Sequence, residues 1–287
     1  MAETWTVLKV LQWTAGYLRE KGIEGGRLDA ELLLSDALSL DRVGLYLNYD
    51  RPLTTAELAF FRERVGRRAR REPLQYIVGR VEFWSLPFVV NPAVLIPRPD
   101  TEILVEEALK RASAEATVLD VGTGSGAIAI ALAHELPAAD VHGVDISPAA
   151  LKVAAENARL NGVGGRVRLA EADLARLPEG PFDLIVSNPP YISSGELAAL
   201  MPEVRDFEPS LALDGGGDGL DNYRLLARQA PSRLRSGGWL LLETGAGQAP
   251  AVRKLLSEAG LVDVFSRDDY AGIPRVVGGR AVTRIEP

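Results

Sequence analysis

The sequence predicts an α/β fold in which a mostly parallel sheet is preceded by a small N-terminal helical bundle and a short β-hairpin. Three observations lead to this prediction. Apolar residues recur at helical spacing up to about residue 72, β-branched and aromatic residues dominate between 74 and 96, and from about 102 onward apolar runs of strand length alternate with helical patterns. Strands separated by helices pair in parallel and are covered on both faces.

The composition excludes several kinds of chemistry. The 287 residues contain 32 Lys+Arg against 39 Asp+Glu, a net charge of −7, with two His and no Cys. Without cysteine there are no disulfides, thiolate nucleophiles or iron–sulfur clusters, and two histidines offer little for a metal site, so we expect no metal. No stretch approaches the roughly 18 to 20 apolar residues of a membrane span, so we expect a cytoplasmic protein with no membrane association.

Turn signals divide the helical region. Gly25-Gly26 ends one helical segment and Asp50-Arg51-Pro52 breaks another. Thr54 or Thr55 can cap a further helix that starts near residue 56. We assign 1–72 to the bundle.

The last helix of the bundle carries a basic block in an otherwise acidic chain. Two interpretations stay open: a solvated helix face, or a contact for RNA or an acidic partner. The block consists of Arg62, Arg64, Arg67, Arg68, Arg70 and Arg71.

The next segment, 73–97, is rich in β-branched and aromatic residues, including Val81, Phe83 and Phe88, and is punctuated by Pro87 and Pro92. This pattern predicts a short strand pair that links the bundle to the remainder, 98–287. In that remainder the predicted strands are 117–121, 141–146, 167–170, 182–187 and 239–242.

A glycine-rich loop follows the first of these strands and runs directly into a helix. Glycines let the backbone turn sharply and approach a ligand closely, while helix amides point at its negative end. The spacing also satisfies the relaxed dinucleotide fingerprint, so a nicotinamide dehydrogenase stays possible at this stage. The loop consists of Gly122, Thr123, Gly124, Ser125 and Gly126.

Acidic residues end the next two strands. Asp145 can accept two hydrogen bonds from the ribose of either kind of cofactor, or it can cap the helix that follows Ser147-Pro148. Asp173 can accept a hydrogen bond from an exocyclic amine, and Leu174 can line the flat face of a base, for which adenine is the natural candidate. The alternative is that Asp173 is simply a polar residue at a strand end.

The fourth strand runs into Asn188-Pro189-Pro190-Tyr191. Two successive prolines restrict φ and remove two amide donors, so the turn presents hydrogen-bond acceptors at the carboxyl edge of the sheet. The Asn188 side-chain oxygen and the Pro189 carbonyl can accept both hydrogens of one planar NH2 group, against which Tyr191 can pack. A proline-rich turn that merely ends a strand is the alternative.

Together these loops resemble those of methyltransferases that use S-adenosylmethionine to methylate planar nitrogen. Further segments resemble the protein-(glutamine) methyltransferases of the HemK/PrmC type, which modify peptide chain release factors, and the resemblance spans nearly the whole chain. Those segments are 75–79, 82–83, 91–102, 208–220, 243–248 and 269–275.

The resemblance implies a Rossmann-like, seven-stranded methyltransferase sheet, S-adenosyl-L-methionine as donor and S-adenosyl-L-homocysteine as product. It implies catalytic roles for Asn188, Pro189 and Tyr191, and a substrate glutamine on an exposed Gly-Gly-Gln loop. Residues 122–126 would surround the methionine part of the donor, with Asn188 nearby. Asp145 would hold the ribose, and Asp173 and Leu174 would border the adenine. Pro190 would join the acceptor loop in binding the substrate, and Phe83 and Arg98 would border the substrate glutamine or the donor.

Departures from the family pattern are small. Ser85 stands where a glycine is common, Asp100 where a glutamate is usual, and Leu174 where some members have an aromatic residue against the adenine. The last of these weakens stacking without changing the chemistry. The resemblance further implies that the bundle orients a protein substrate, and we expect a monomer.

Three rival functions are each compatible with part of the sequence. An adenine-N6 nucleic-acid methyltransferase would use the same turn to hold a flipped adenine amine, but a net charge of −7 with one basic block fits duplex binding poorly, so we expect no stable nucleic-acid complex. A dehydrogenase leaves the double-proline turn unexplained. A non-enzymatic, ribosome-associated module would use only the arginine block.

Overall fold

The computed structural model describes residues 4–282. Within this range the chain forms two compact units: 4–79 with Met201–Phe207, and Arg80–Leu200 with 208–282. In the described range, no helix is both long and apolar enough to cross a membrane.

The first unit is helical around an apolar core. The Thr54 Oγ1 atom accepts a hydrogen bond from the Glu57 backbone N–H, and the Glu57 carboxylate accepts from the Thr54 N–H at 2.8 Å, so the predicted cap lies at Thr54. Core residues include Leu11, Leu33 and Phe61. The helices are Val7–Glu20, Gly26–Leu38, Arg42–Leu47, Thr55–Ala69, Leu74–Val78 and Pro202–Arg205.

The strand texture predicted from residue 74 onward is wrong for its first five residues, because Leu74–Val78 is a helix. Pro73 precedes this helix, and Gly79 ends it with a left-handed φ of 80°. Ile77 favours strands by its branching, but its side chain is buried in the helical core, and burial outweighs the local preference.

The basic block is largely an internal network of ion pairs, which neither interpretation from the sequence anticipated. Arg68 is buried, and its guanidinium binds Asp29 at 2.7 Å and Glu203 at 3.0 Å. Arg71 also binds Glu203, at 2.8 Å. Arg64 pairs with Asp36 and Arg67 with Glu72, whereas Arg62 and Arg70 are exposed.

We expect Glu203→Ala to destabilise the protein, because it removes one carboxylate that binds two guanidinium groups, of which Arg68 is buried. The expected loss in the free energy of unfolding is about 2 kcal/mol. Urea unfolding followed by circular dichroism measures it. The matched control is Glu63→Ala, because Glu63 is 58% exposed and pairs loosely at 3.7 Å. Equal stabilities of the two variants would show that the network contributes nothing.

The second unit contains the predicted hairpin and sheet. The strands are β1 Arg80–Phe83, β2 Leu86–Val89, β3 Thr117–Val121, β4 Asp140–Asp145, β5 Val167–Glu171, β6 Phe182–Ser187, β7 Leu234–Glu243, β8 Val262–Asp268 and β9 Pro274–Arg280. Strands β1 and β2 pair antiparallel in the hairpin. The seven-stranded sheet has the order β5-β4-β3-β6-β7-β9-β8, in which β3 to β7 pair in parallel and β8 and β9 antiparallel. This confirms the predicted fold class.

Helices cover both faces of this sheet, and a separate apolar cluster fills each face. Strand order reverses between β3 and β6, which makes their carboxyl ends a topological switch point, the usual ligand site of such sheets. The helices are Glu102–Leu109, Ala127–Glu135, Pro148–Leu160, Asp221–Arg233 and Ala249–Glu258, with short 3-10 turns at Pro99–Thr101, Leu197–Ala199 and Ser210–Ala212.

Candidate active site

The glycine loop and the double-proline loop leave the sheet side by side. Val121 at the end of β3 is the register partner of Ser187 at the end of β6. The buried Ser187 hydroxyl donates a hydrogen bond to the Val121 carbonyl at 2.7 Å. The two loops singled out in the sequence therefore start from one point of the sheet edge.

The glycine loop has three left-handed residues. Gly122, Gly124 and Gly126 have φ values of 72°, 54° and 83°, a region that side chains disfavour. A Cβ added at Gly122 would meet nothing within 4 Å, whereas one at Gly126 would lie 2.8 Å from the Ile130 side chain. Gly122 thus leaves open space beside the backbone, and Gly126 serves the packing of the following helix.

Thr123 and Ser125 face into the protein rather than into this space, with exposures of 6% and 4%. The Thr123 hydroxyl donates to Asp120 Oδ2 at 2.7 Å, and the Ser125 carbonyl accepts from Asn157 at 2.9 Å. Asp120 is fully buried, and burial raises its pKa to about 7. Its Oδ1 atom has no hydrogen-bond partner among residues 4–282.

Asp145 braces the glycine loop. Its Oδ2 atom accepts from the Gly124 N–H at 2.8 Å, and its Oδ1 atom accepts from the Ser147 N–H at 2.9 Å. The cap of the next helix is Ser147, whose hydroxyl accepts from Ala150, so the capping alternative for Asp145 is wrong. A carboxylate has about four lone-pair sites, so Asp145 retains the capacity to accept from a ligand.

Asp173 and Leu174 follow β5. Asp173 is exposed, and its Oδ1 atom accepts from the Ala175 N–H at 2.8 Å. Leu174 is half-buried against the apolar cluster that contains Tyr223. One carboxylate oxygen of Asp173 stays available at the rim of the site.

A pocket opens between these loops. Seven residues predicted from the sequence line it: Gly122, Gly124, Asp145, Asp173, Leu174, Asn188 and Pro190. The sequence assigned no role to other lining residues, among them Val94, Leu95, Leu211, Asn222 and Leu225.

The double-proline loop is held in place through its outer carbonyls. The Pro190 carbonyl accepts from Asn222 Nδ2 at 2.7 Å, and the Tyr191 carbonyl accepts from Gln248 Nε2 at 2.8 Å. The Asn188 side-chain NH2 group donates to the Thr101 hydroxyl at 3.2 Å. Within the described residues no donor reaches Asn188 Oδ1 or the Pro189 carbonyl, so the two acceptors expected to bind a substrate carry no internal hydrogen bond.

Tyr191 is a neutral phenol at physiological pH. Burial raises its pKa to about 12, the nearby Glu243 carboxylate adds to this, and Arg275 and Arg98 oppose it. A group with this pKa is a poor base, so Tyr191 contributes an aromatic surface rather than a proton acceptor.

The other predicted residues are not among those that line the pocket: Thr123, Ser125, Gly126, Pro189, Tyr191, Phe83 and Arg98. The Arg98 guanidinium pairs with the buried Glu208 carboxylate, which also accepts from the Ile96 N–H at 3.2 Å. Phe83 is 2% exposed and packs edge-to-face on Phe88 with ring centroids 6.0 Å apart. The structure therefore does not bring Phe83 to the pocket, because its ring is packed in the apolar core.

Thr101, Asn222 and Gln248 were not among the residues predicted from the sequence, although each binds the double-proline loop. Thr101 and Gln248 occur within the segments that carry the family resemblance, which was the available signal. Asn222 lies just outside those segments.

The chain is similar to known methyltransferases in sequence and in fold. Residues 98–203 match the family model described as "Methyltransferase small domain", and residues 9–79 match the one described as "PrmC N-terminal domain". A methyltransferase structure from Pyrococcus furiosus aligns with a TM-score of 0.53 at 19% identity, covering 69% of this chain and 89% of that one. The fold and its loops therefore define a Rossmann-like methyltransferase with an S-adenosylmethionine-type donor site.

Relatives in sequence show to which family of methyltransferases the chain belongs. The release factor glutamine methyltransferase of Geobacter sulfurreducens is 58% identical over 97% of this chain and 98% of its own length. The one from Bradyrhizobium diazoefficiens is 46% identical over 93% and 92%. The chain belongs to the release factor glutamine methyltransferase family, which confirms the resemblance found in the sequence.

Proposed function

We propose that this enzyme transfers a methyl group from S-adenosyl-L-methionine to the side-chain amide nitrogen of the glutamine in the Gly-Gly-Gln motif of peptide chain release factors. The observation that carries the proposal is the pair of unengaged acceptors, Asn188 Oδ1 and the Pro189 carbonyl, in a loop whose next two carbonyls are already bound. One primary amide NH2 group offers the two hydrogens that such a pair requires.

The residues beside the pocket fit the donor. Gly122 and Gly124 leave backbone open to a ligand and suit its methionine part, Asp145 has spare acceptor capacity for a ribose, and Asp173 with Leu174 suits the adenine. When bound, this donor supplies a methyl group already activated by a sulfonium sulfur. Its demethylated product is S-adenosyl-L-homocysteine.

The difficulty of the reaction lies with the glutamine nitrogen, because its lone pair is shared with the carbonyl. Two acceptors on its N–H bonds stabilise the positive charge that builds on nitrogen as this sharing is lost. They also fix the direction of the lone pair, and such positioning can supply several kcal/mol of the barrier reduction. Asn222 and Gln248 hold the loop before the substrate arrives, so little reorganisation is needed.

No strong base is required. When the N–C bond has formed and the C–S bond has broken, the nitrogen carries a positive charge and one surplus proton. This proton is acidic, so it can pass to solvent. A neutral Tyr191 in the loop is compatible with this route, because no residue there has to take the proton.

We further propose that the helical bundle, 1–72, orients the protein substrate, that 73–97 links it to the methyltransferase domain, 98–287, and that the enzyme works as a monomer in the cytoplasm. The match of residues 9–79 to a domain model of this family supports a dedicated role for the bundle.

A methylation assay tests the proposal. We expect methyl incorporation into an intact release factor and none into its variant with Gln→Ala in the Gly-Gly-Gln motif, since alanine has no amide. An adenine-containing oligonucleotide tests the rival adenine-N6 activity in the same assay. Equal labelling of the two release factors, or labelling of the oligonucleotide alone, would contradict the proposal.

A further inference from the structure

We infer that a cavity in the helical unit is the docking site for one bulky apolar side chain of the release factor, with an acidic residue beside that side chain. The inference rests on the proposed function, because it names the surface with which the bundle would hold the protein substrate. The wall of the cavity includes Trp5, Trp13, Tyr17, Phe61, Arg62 and Gly66.

The size of the cavity indicates a single side chain rather than a free small molecule. Its volume is about 190 Å³. Pockets that bind small molecules have volumes of roughly 300 to 1,000 Å³, whereas an apolar cavity of about 150 Å³ accepts one benzene ring. The cavity in this unit therefore has room for one aromatic or branched aliphatic side chain.

The wall is formed largely by aromatic rings that hold one another in place. Trp13 stacks on Tyr17 with ring centroids 5.0 Å apart, and Trp5 packs edge-on against Trp13 at 6.3 Å. Trp13 is nevertheless 52% exposed, although tryptophan side chains are highly buried on average. Rings that are fixed before binding lose little freedom on binding, and Trp, Tyr and Arg carry much of the binding energy at protein interfaces.

A buried hydroxyl group at the same wall has no partner. Thr14 lines the cavity and is 0% exposed, and its Oγ1 atom has no hydrogen-bond partner in the described part of the chain. A threonine inside a helix can donate to the carbonyl four residues earlier, and Thr14 does not do so. Because an unpaired buried hydroxyl is costly, an occupant that offers it a polar atom is favoured.

Arg62 supplies the charge that selects the residue beside the docked side chain. Four other arginines of the basic block pair with carboxylates of the same unit. Arg62 lines the cavity, is exposed, and forms no ion pair among residues 4–282. An acidic residue next to the docked side chain would complement this free guanidinium.

A protein segment fits this wall better than RNA does. RNA binding relies on a groove with several cations that follow the backbone, whereas Arg62 is the one charged residue among the described residues of this wall. The release factor is the protein that the proposed function brings to the enzyme. Docking on the helical unit would raise the effective concentration of its Gly-Gly-Gln loop at the acceptor loop.

The test titrates an intact release factor into the enzyme by calorimetry, with S-adenosylhomocysteine present. Gly66→Leu fills the cavity from its wall, because beyond the helix backbone a Cβ at Gly66 would meet no atom nearer than the Arg70 guanidinium, at 3.8 Å. We expect the Kd for the release factor to rise about tenfold or more. Leucine favours a helix more than glycine does, so the melting temperature should stay the same or rise by about 2 °C, whereas damage to the unit would lower it.

Gly16→Leu is the matched control for this substitution. Gly16 lies inside the helix Val7–Glu20, a Cβ there would meet nothing within 4 Å, and Gly16 does not line the cavity. Its replacement should leave the Kd for the release factor within about twofold of the original.

Two further variants test the aromatic wall and the charge. Trp13→Ala should raise the Kd for the release factor about tenfold, and Arg62→Gln should raise it about threefold to tenfold. Arg70→Gln removes an exposed arginine at the end of the same helix, outside the cavity wall, and should change the Kd less than about twofold. If Gly66→Leu or Trp13→Ala fails to fold, Arg62→Gln decides, because an exposed side chain can be replaced without disturbing the core.

An unchanged Kd in Gly66→Leu and Arg62→Gln, or an equal loss of affinity in Gly16→Leu, would overturn the inference. A different occupant would overturn it as well. That result would be a short RNA whose binding Gly66→Leu abolishes, or a dimer of the enzyme that Gly66→Leu dissociates in sedimentation, while affinity for the release factor is retained.

Methylation by the unaltered enzyme separates this inference from the proposed function. If the enzyme methylates the release factor and Gly66→Leu leaves both Kd and KM unchanged, only the inference fails. If the enzyme binds the release factor but transfers no methyl group to it, the proposed function fails, while calorimetry still decides whether the cavity binds this protein.

Discussion

Asn188→Ala is expected to lower turnover by about 100- to 1,000-fold, the usual loss when one preorganised hydrogen-bonding group aimed at developing charge is removed. The variant deletes one of the two proposed acceptors while leaving the Pro189 carbonyl in place. We expect a donor Kd within a few-fold of the original, because the glycine loop and Asp145 are untouched. Steady-state kinetics with a release factor measures the turnover, and calorimetry with S-adenosylmethionine measures the donor Kd.

Asn161→Ala is the control for this substitution. Asn161 donates to the Pro87 carbonyl at 2.9 Å and lies outside the pocket lining, so its loss should leave turnover unchanged. A comparable loss of donor affinity and turnover in Asn188→Ala would mean that Asn188 serves mainly to bind the donor.

Asp145→Ala should weaken donor binding while leaving turnover nearly unchanged, the opposite of what we expect for Asn188→Ala. The variant removes the proposed ribose acceptors and also the brace on the Gly124 N–H. We expect donor binding to weaken about 10- to 100-fold, equivalent to roughly 1.4 to 2.8 kcal/mol. Turnover at saturating donor should stay within a few-fold, because the substrate acceptors are intact. Calorimetry and a donor titration of the methylation rate measure the two effects.

Asp140→Ala provides the matched control. Asp140 begins β4, the strand that Asp145 ends, and its side chain is 40% exposed. Its replacement should leave donor affinity unchanged. If Asp145→Ala binds donor as tightly as Asp140→Ala does, the assignment of the ribose position is refuted.

Much of the second unit could be predicted from sequence, because the central parallel strands β3 and β6 are largely buried and stand out as short apolar runs. Predicted strand 117–121 coincides with β3, and 182–187 with β6. Strands β8 and β9 were not among the strands located from the sequence. Strand β8 is largely exposed, and β9 contains Gly278 and Gly279, so neither has the apolar, branched pattern of a central strand.

The loops of the site were predictable for a related reason, since chemistry in such sheets follows the carboxyl ends of strands. The residues that hold those loops in place could not be predicted from the sequence. Thr101, Asn222 and Gln248 contact the double-proline loop from 87, 32 and 57 residues away in sequence, and no local pattern records such contacts. The pairing of Arg68 with Glu203, 135 residues apart, was hidden for the same reason.

A crystal structure of the enzyme with S-adenosylhomocysteine and a Gly-Gly-Gln peptide tests the central claim most directly. Our account predicts that the glutamine Nε2 atom lies about 2.7 to 3.2 Å from both Asn188 Oδ1 and the Pro189 carbonyl oxygen. A glutamine amide bound elsewhere in the pocket, with both of these oxygens left unengaged, would contradict it.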